Sequence, residues 1–164
     1  MNILAVFGIS VLMSIVSYGV AARLYVWPRL RIMERNRALA PLLAPHFLRF
    51  IGLSFLVPGV VSPSLPPAFA IPAGYGDLVA GILAIVATLT LVTRASWAIP
   101  AVWVFNVWGA ADLLLAFYQG RHLGIQPGEF GASFFLVTAI VPALLVTHGL
   151  IFRLLIRPEP SRAA

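Results

Sequence analysis

Apolar residues in this chain do not alternate with polar ones at the period of a half-exposed helix or strand. They come in long runs. Five stand out, over residues 3–26, 46–61, 77–92, 98–119 and 131–156. Runs of this kind are read as membrane-spanning helices, because lipid offers no partner to an open strand edge or a bare backbone. The predicted fold class is therefore all-α: a polytopic integral membrane protein, a bundle of five transmembrane helices in a single domain over residues 1–164. The first run ends at Trp27-Pro28, and the second opens after Pro45, a residue suited to a first helical turn. As an α-helix the second run would rise only about 24 Å, short of the roughly 30 Å of a bilayer core.

The polar positions between the runs fix an orientation. The loop 27–45 holds "RLRIMERNR", with Arg29, Arg31, Arg35 and Arg37. Placing it in the cytoplasm puts the N-terminus outside. Five alternating crossings then put Arg94 inside, together with Arg153, Arg157 and Arg162 at a cytoplasmic C-terminus, and leave only Arg121 in an outer loop. Four or six crossings would spoil this partition, so the positive-inside rule supports both the number of spans and their direction. The N-terminus has no basic stretch before its apolar run and is read as a retained first helix, not a signal peptide. Trp27, Trp97 and Tyr118 fall near span ends, where aromatic belts belong. Small residues line up for close helix packing: Ser10, Ser14, Ser17 and Ala21 in the first run, and Gly81, Ala84 and Thr88 in the third, on the face of Asp77. The outer loop 62–76, "SPSLPPAFAIPAGYG", is uncharged and proline-rich. Its prolines argue against a regular helix. Its Leu65, Phe69 and Ile71 argue for packing against the outer half of the bundle, as a lid or a stiff connector.

Composition sharpens this picture. The chain is 61% hydrophobic and 10% charged, against about 25% charged in soluble domains. It has no cysteine, which excludes disulfides, thiolate catalysis and cysteine metal sites. All eleven basic residues are arginine. With its wealth of alanine, glycine and proline, that points to GC-rich codons and a bacterial inner membrane. The net charge of +6 is assigned to span-flanking arginines meeting anionic lipid, not to nucleic acid. No phosphate loop, HExxH or nucleophile elbow is present, and no internal repeat of the transporter kind.

The candidate chemistry lies in the polar residues inside the runs. Charged groups there are costly and usually face the bundle interior. Asp112 lies about 10 Å below the outer end of the fourth run, sharing a face with Gln119 and standing one turn from Trp108. By this count no arginine lies at a depth to pair with it, since Arg49 and Arg94 belong to the inner side and Arg121 to the outer loop. A neutral carboxyl is therefore expected, able to donate a proton or anchor a ligand. Asp77 opens the third run, where an acid caps a helix; it could also face the same pocket and divide acid and base roles with Asp112. Asn106, near mid-membrane, reads as an interhelical hydrogen bond or a ligand contact. Arg49 is expected to snorkel to the cytoplasmic surface or hold a lipid phosphate. His46 and His148 share a depth, which raises a bis-histidine haem as a weak alternative to no cofactor at all.

The expected site lies between the second, third and fourth helices in the outer half. Asp112 and Asp77 are its acid–base pair, Tyr75, Trp108, Gln119, Asn106 and Arg49 its binding residues, and the proline-rich segment its roof. An apolar, aromatic pocket with few polar groups suits a lipophilic small molecule such as an isoprenoid or another membrane lipid, bound or converted by isomerase-like acid–base chemistry. A non-enzymatic subunit of a homo-oligomer or larger membrane complex is the alternative, and predicts satisfied polar groups with no cavity. A proton-coupled transporter is the third, and predicts an aqueous path from Asp112 to His148.

Overall fold

The first helix does not stop at Trp27-Pro28. In the computed structural model, which describes residues 2–158, it runs without a break as Ile3–Leu30 (α1). Asn2 caps it by accepting from the Leu4 N–H at 3.1 Å. Pro28 has no N–H to give the turn before it. The helix absorbs that loss by widening to π geometry over Ala22–Val26 and resuming at Trp27–Leu30. Only residues 31–34 separate it from the next helix, so the expected basic loop 27–45 is mostly helical.

The second helix, Arg35–Leu56 (α2), begins well before residue 46. It is α-helical over Arg35–Leu43 and a 3₁₀-helix over Ala44–Leu56. Pro45 cannot donate to the carbonyl of Pro41, and the ladder changes type at that point. A 3₁₀-helix rises about 2 Å per residue, so α2 is about 40 Å long and spans a bilayer with ease. The shortness expected of the second span is thereby removed.

The third helix is Pro67–Val92 (α3). Much of the proline-rich loop thus folds as helix, contrary to expectation. Pro66 is its cap and Pro67 its first residue, where a missing N–H costs nothing; Pro72 is taken inside. Leu65 and Phe69 are buried against Phe55 and Phe130, whereas Ile71 turns outward. The fourth helix is Ala98–His122 (α4), and the fifth is Leu136–Leu155 (α5), preceded by a 3₁₀ turn over Pro127–Ser133. The described residues are all-helical, without strands, and these five helices are long and apolar enough to cross a membrane.

α3 is the hub, flanked by the 3₁₀ half of α2 and by α4. The predicted small-residue face of α3 lies toward α2: a Cβ on Gly81 would be in ordinary van der Waals contact, 3.6 Å, with the His46 carbonyl oxygen, and Ala84 is fully buried. α5 closes the bundle against α4 and α2, and α1 lies outside on α5 with no buried residue over Ile3–Ala21. The interior has three layers. An apolar cluster including Leu39, Leu43, Phe105, Ile151 and Leu154 fills one end. An aromatic cluster including Phe55, Phe69 and Phe130 fills the other. A polar layer lies between them.

Candidate functional site

Arg49 is the centre of the polar layer. It stands fourteen residues past the start of α2, and 3₁₀ geometry carries it deeper than an α-helical count allows. Its side chain is fully buried. Nε donates to Asp77 Oδ1 at 2.7 Å, and Nη2 lies 2.6 Å both from that oxygen and from Asp112 Oδ2. Nη1 donates to the Gly109 carbonyl at 3.0 Å and faces His148 Nε2 at 3.5 Å. A guanidinium can only donate, and each of its three nitrogens has an acceptor here.

Two expectations fall with this geometry. Arg49 does not snorkel to a surface; it reaches into the core. Asp112 does have an arginine partner, so the premise for an unpaired, neutral carboxyl is gone. A third correction concerns Asp77. It lies about 15 Å into α3, because the helix starts at Pro67, and so it caps nothing.

The layer continues toward the arginine-rich end. A guanidinium can only donate, so His148 Nε2 accepts and His148 Nδ1 donates to Asn106 Oδ1 at 2.7 Å. Asn106 Nδ2 returns a bond to the His148 carbonyl at 3.3 Å. The interhelical role expected of Asn106 is what is seen. His46 Nε2 pairs with Thr147 Oγ1 at 2.9 Å, and that hydroxyl donates to the Leu144 carbonyl. His46 Nδ1 is left as a buried atom with no partner among the described residues. The rings of His46 and His148 touch, with centroids 4.3 Å apart, and Phe105 packs on both. Rings in contact leave no slot for a porphyrin between them, so the haem alternative does not fit.

Glycines make the crowding possible. A Cβ on Gly52 would collide with the Asp77 carboxylate, and one on Gly76 with that of Asp112. One on Gly109 would meet His148 Cε1 at 2.7 Å and Arg49 Nη1 at 2.8 Å. These glycines, with Thr147, are parts of the site that the sequence did not single out.

A cavity of about 500 Å³ opens on the other side of the layer. Asp77 and Asp112 form its floor, and Phe7, Phe55, Phe69 and Phe117 are among its walls. Gln126 and Pro127 stand at the far end with Arg121. Asp112 also borders a shallower groove on the outer face of α4, beside Trp108 and Tyr118. The structure therefore brings Asp112, Asp77 and Arg49 into contact, with Asn106 one step behind. It does not bring in Tyr75 or Trp108, which are 55% and 47% exposed on the outside of the bundle, and Gln119 is half-buried away from the cavity wall.

This is an all-helical chain with five apolar helices around a buried arginine and two aspartates. It belongs to the family described as "Domain of unknown function (DUF8737)", whose model matches residues 6–156. No curated protein and no solved structure matches it.

Proposed function

We propose that this chain is a bacterial inner-membrane protein that binds a lipophilic small molecule in the cavity above Asp77 and Asp112. The supporting observation is the cavity itself. Its volume of about 500 Å³ lies within the roughly 300–1,000 Å³ common for ligand sites. Its walls are apolar and aromatic, its two acids share one floor, and its other polar side chains, Arg121 and Gln126, stand at the far end. Two carboxylates there also equip the site for a proton-transfer step on the bound molecule, with Asp112, the more exposed of the two, as the group that takes up the proton and returns it.

The cavity favours this reading over an accessory subunit, for which a satisfied polar layer with a filled interior would serve. The apolar plug favours it over a transporter. Among the described residues, the interior beyond His46 and His148 is filled by the buried apolar side chains of Leu39, Leu43, Val102, Ile151 and Leu154. The test is native mass spectrometry of protein purified from membranes in a mild detergent. We expect one copurifying lipophile per chain, lost in Ala116→Trp, which fills the cavity from α4. Wild-type protein as empty as Ala116→Trp overturns the reading.

A further inference from the structure

We infer that the ligand is a lipophilic cation, an ammonium or other onium group on an apolar body, held by Asp77 and Asp112. This rests on the cavity being the ligand site and names the chemistry the site selects.

The charge count comes first. One guanidinium faces two carboxylates, so the ionised cluster keeps one negative charge, and the groups that adjoin it in the layer, the Gly109 carbonyl, His148 and Asn106, bring no cation to offset it. Such a charge is costly without a partner. The exposure pattern then decides what the cavity feels. The Arg49 side chain is 0% exposed and each of its three guanidinium nitrogens is already bonded within the layer, whereas the side chains of Asp77 and Asp112 are 9% and 14% exposed. The floor therefore presents acid and hides its base. Arg121 lines the same cavity but stands nine residues further along α4 than Asp112, about 13 Å away along the axis. An anion at the floor would meet two carboxylates and no free donor.

The walls suit the same ligand. Phe7, Phe55, Phe69, Phe117 and Phe130 surround the space above the floor, and aromatic faces attract cations as well as apolar bodies. Access suits it too. Asp112 borders both the cavity and the groove on the outer face of α4, so a molecule dissolved in the leaflet can approach the acid from the side.

The experiment compares two ions of matched shape and opposite charge, tetraphenylphosphonium and tetraphenylborate. Binding is measured to the full chain in nanodiscs of zwitterionic phosphatidylcholine, with empty discs subtracted. We expect saturable binding of the phosphonium, one per chain, at least about tenfold tighter than the borate, a gap of about 1.4 kcal/mol. Asp112→Asn should remove that preference, and Asp112→Glu should keep it. The comparison on the unaltered protein stands even if Asp112→Asn fails to fold. Equal affinity for the two ions, or no phosphonium binding above empty discs, overturns the inference. Equal binding that Ala116→Trp abolishes would reject the charge selection and leave the cavity as a lipophile site. Phosphonium binding unchanged in Ala116→Trp would reject the cavity itself.

Discussion

Arg49 has five donors and, inside an apolar bundle, nowhere to place them except the acids and carbonyl around it. Its partners depend on it equally. Arg49→Met leaves two carboxylates facing each other in a buried layer. Breaking a buried ion pair by removing one partner costs about 3 kcal/mol or more. We expect Arg49→Met to melt far below the native protein in detergent. The combined Arg49→Met, Asp77→Asn, Asp112→Asn chain, which carries no net charge in the layer, should recover much of the loss. Thermal unfolding of the two variants side by side checks this, and a triple variant no more stable than the single one would show that charge balance is not what holds the layer. The acids were legible in the sequence because an intramembrane carboxylate is costly wherever it sits. Their partner was not, because depth was reckoned with an α-helical rise from residue 46. The rule that intramembrane charges pair with one another was the signal that could have joined Arg49 to both. Tyr75 was placed in the pocket from nearness in sequence to Asp77, but helical rotation carries it to the outside; Trp108, one turn from Asp112, lies beside that acid in the groove on the outer face of α4 and not in the cavity.

At the level of elements, the prolines govern what the hydrophobic pattern could not show. The pattern found all five spans and came within a few residues of the α3, α4 and α5 C-terminal ends. It misplaced the ends set by proline, because Pro28 and Pro72 are taken inside helices and Pro45 changes the type of α2 rather than starting it. The segment before α5 shows a subtler device. Gly131 has φ +52, and around it the chain pairs with the end of the α2–α3 connection: Ala132 donates to the Val60 carbonyl at 2.8 Å and Ser62 to the Glu129 carbonyl at 2.9 Å. Ser54 and Ser133 add a hydroxyl contact at 2.9 Å. These bonds fasten Phe130 over the cavity. A Cβ on Gly131 would collide with the Val60 carbonyl, whereas one on Gly124, also at positive φ, meets nothing within 4 Å. Both glycines stand at positive φ, where a side chain is strained, and Gly131, with ψ −128, lies outside the left-handed helical well as well. We therefore expect Gly131→Ala to lower the melting temperature clearly more than Gly124→Ala, and to raise proteolysis near residues 60–62. Equal effects would mean that the two connections are not fastened to each other.

For the whole molecule, the arrangement of charge argues for a direction across the membrane. The C-terminal end of α1, the start of α2, the turn after α3 and the end of α5 share one end of the bundle, since the helices alternate. Contacts bear this out: Arg35 donates to the Arg157 carbonyl, Arg157 Nη1 to the Arg31 carbonyl at 2.5 Å, and the Arg153 guanidinium lies 3.8 Å above the Trp27 ring. Arg29, Arg37 and Arg94 belong to the same end by their places in the chain; Arg162 lies outside the described residues. The cavity opens toward the opposite end, where Arg121 and Glu129 balance each other. Arginine-rich ends are retained in the cytoplasm, so the cavity should belong to the outer leaflet. Trp97 at the basic end and Tyr118 at the other are both strongly exposed, as residues of the two interfacial belts would be. A reporter active only in the periplasm, inserted near Gly124, should be active, and the same reporter fused after Ala164 should be silent. Moving the basic charge tests the cause as well as the outcome. Replacing Arg29, Arg31, Arg35 and Arg37 by Gln while adding arginines beside Gly124 should weaken or invert the pattern. Two reporters on the same side would remove the alternation, and with it the assignment of the cavity to a leaflet. Inverted reporters in the native chain would keep the fold and its cavity but turn the ligand's approach to the cytoplasmic leaflet.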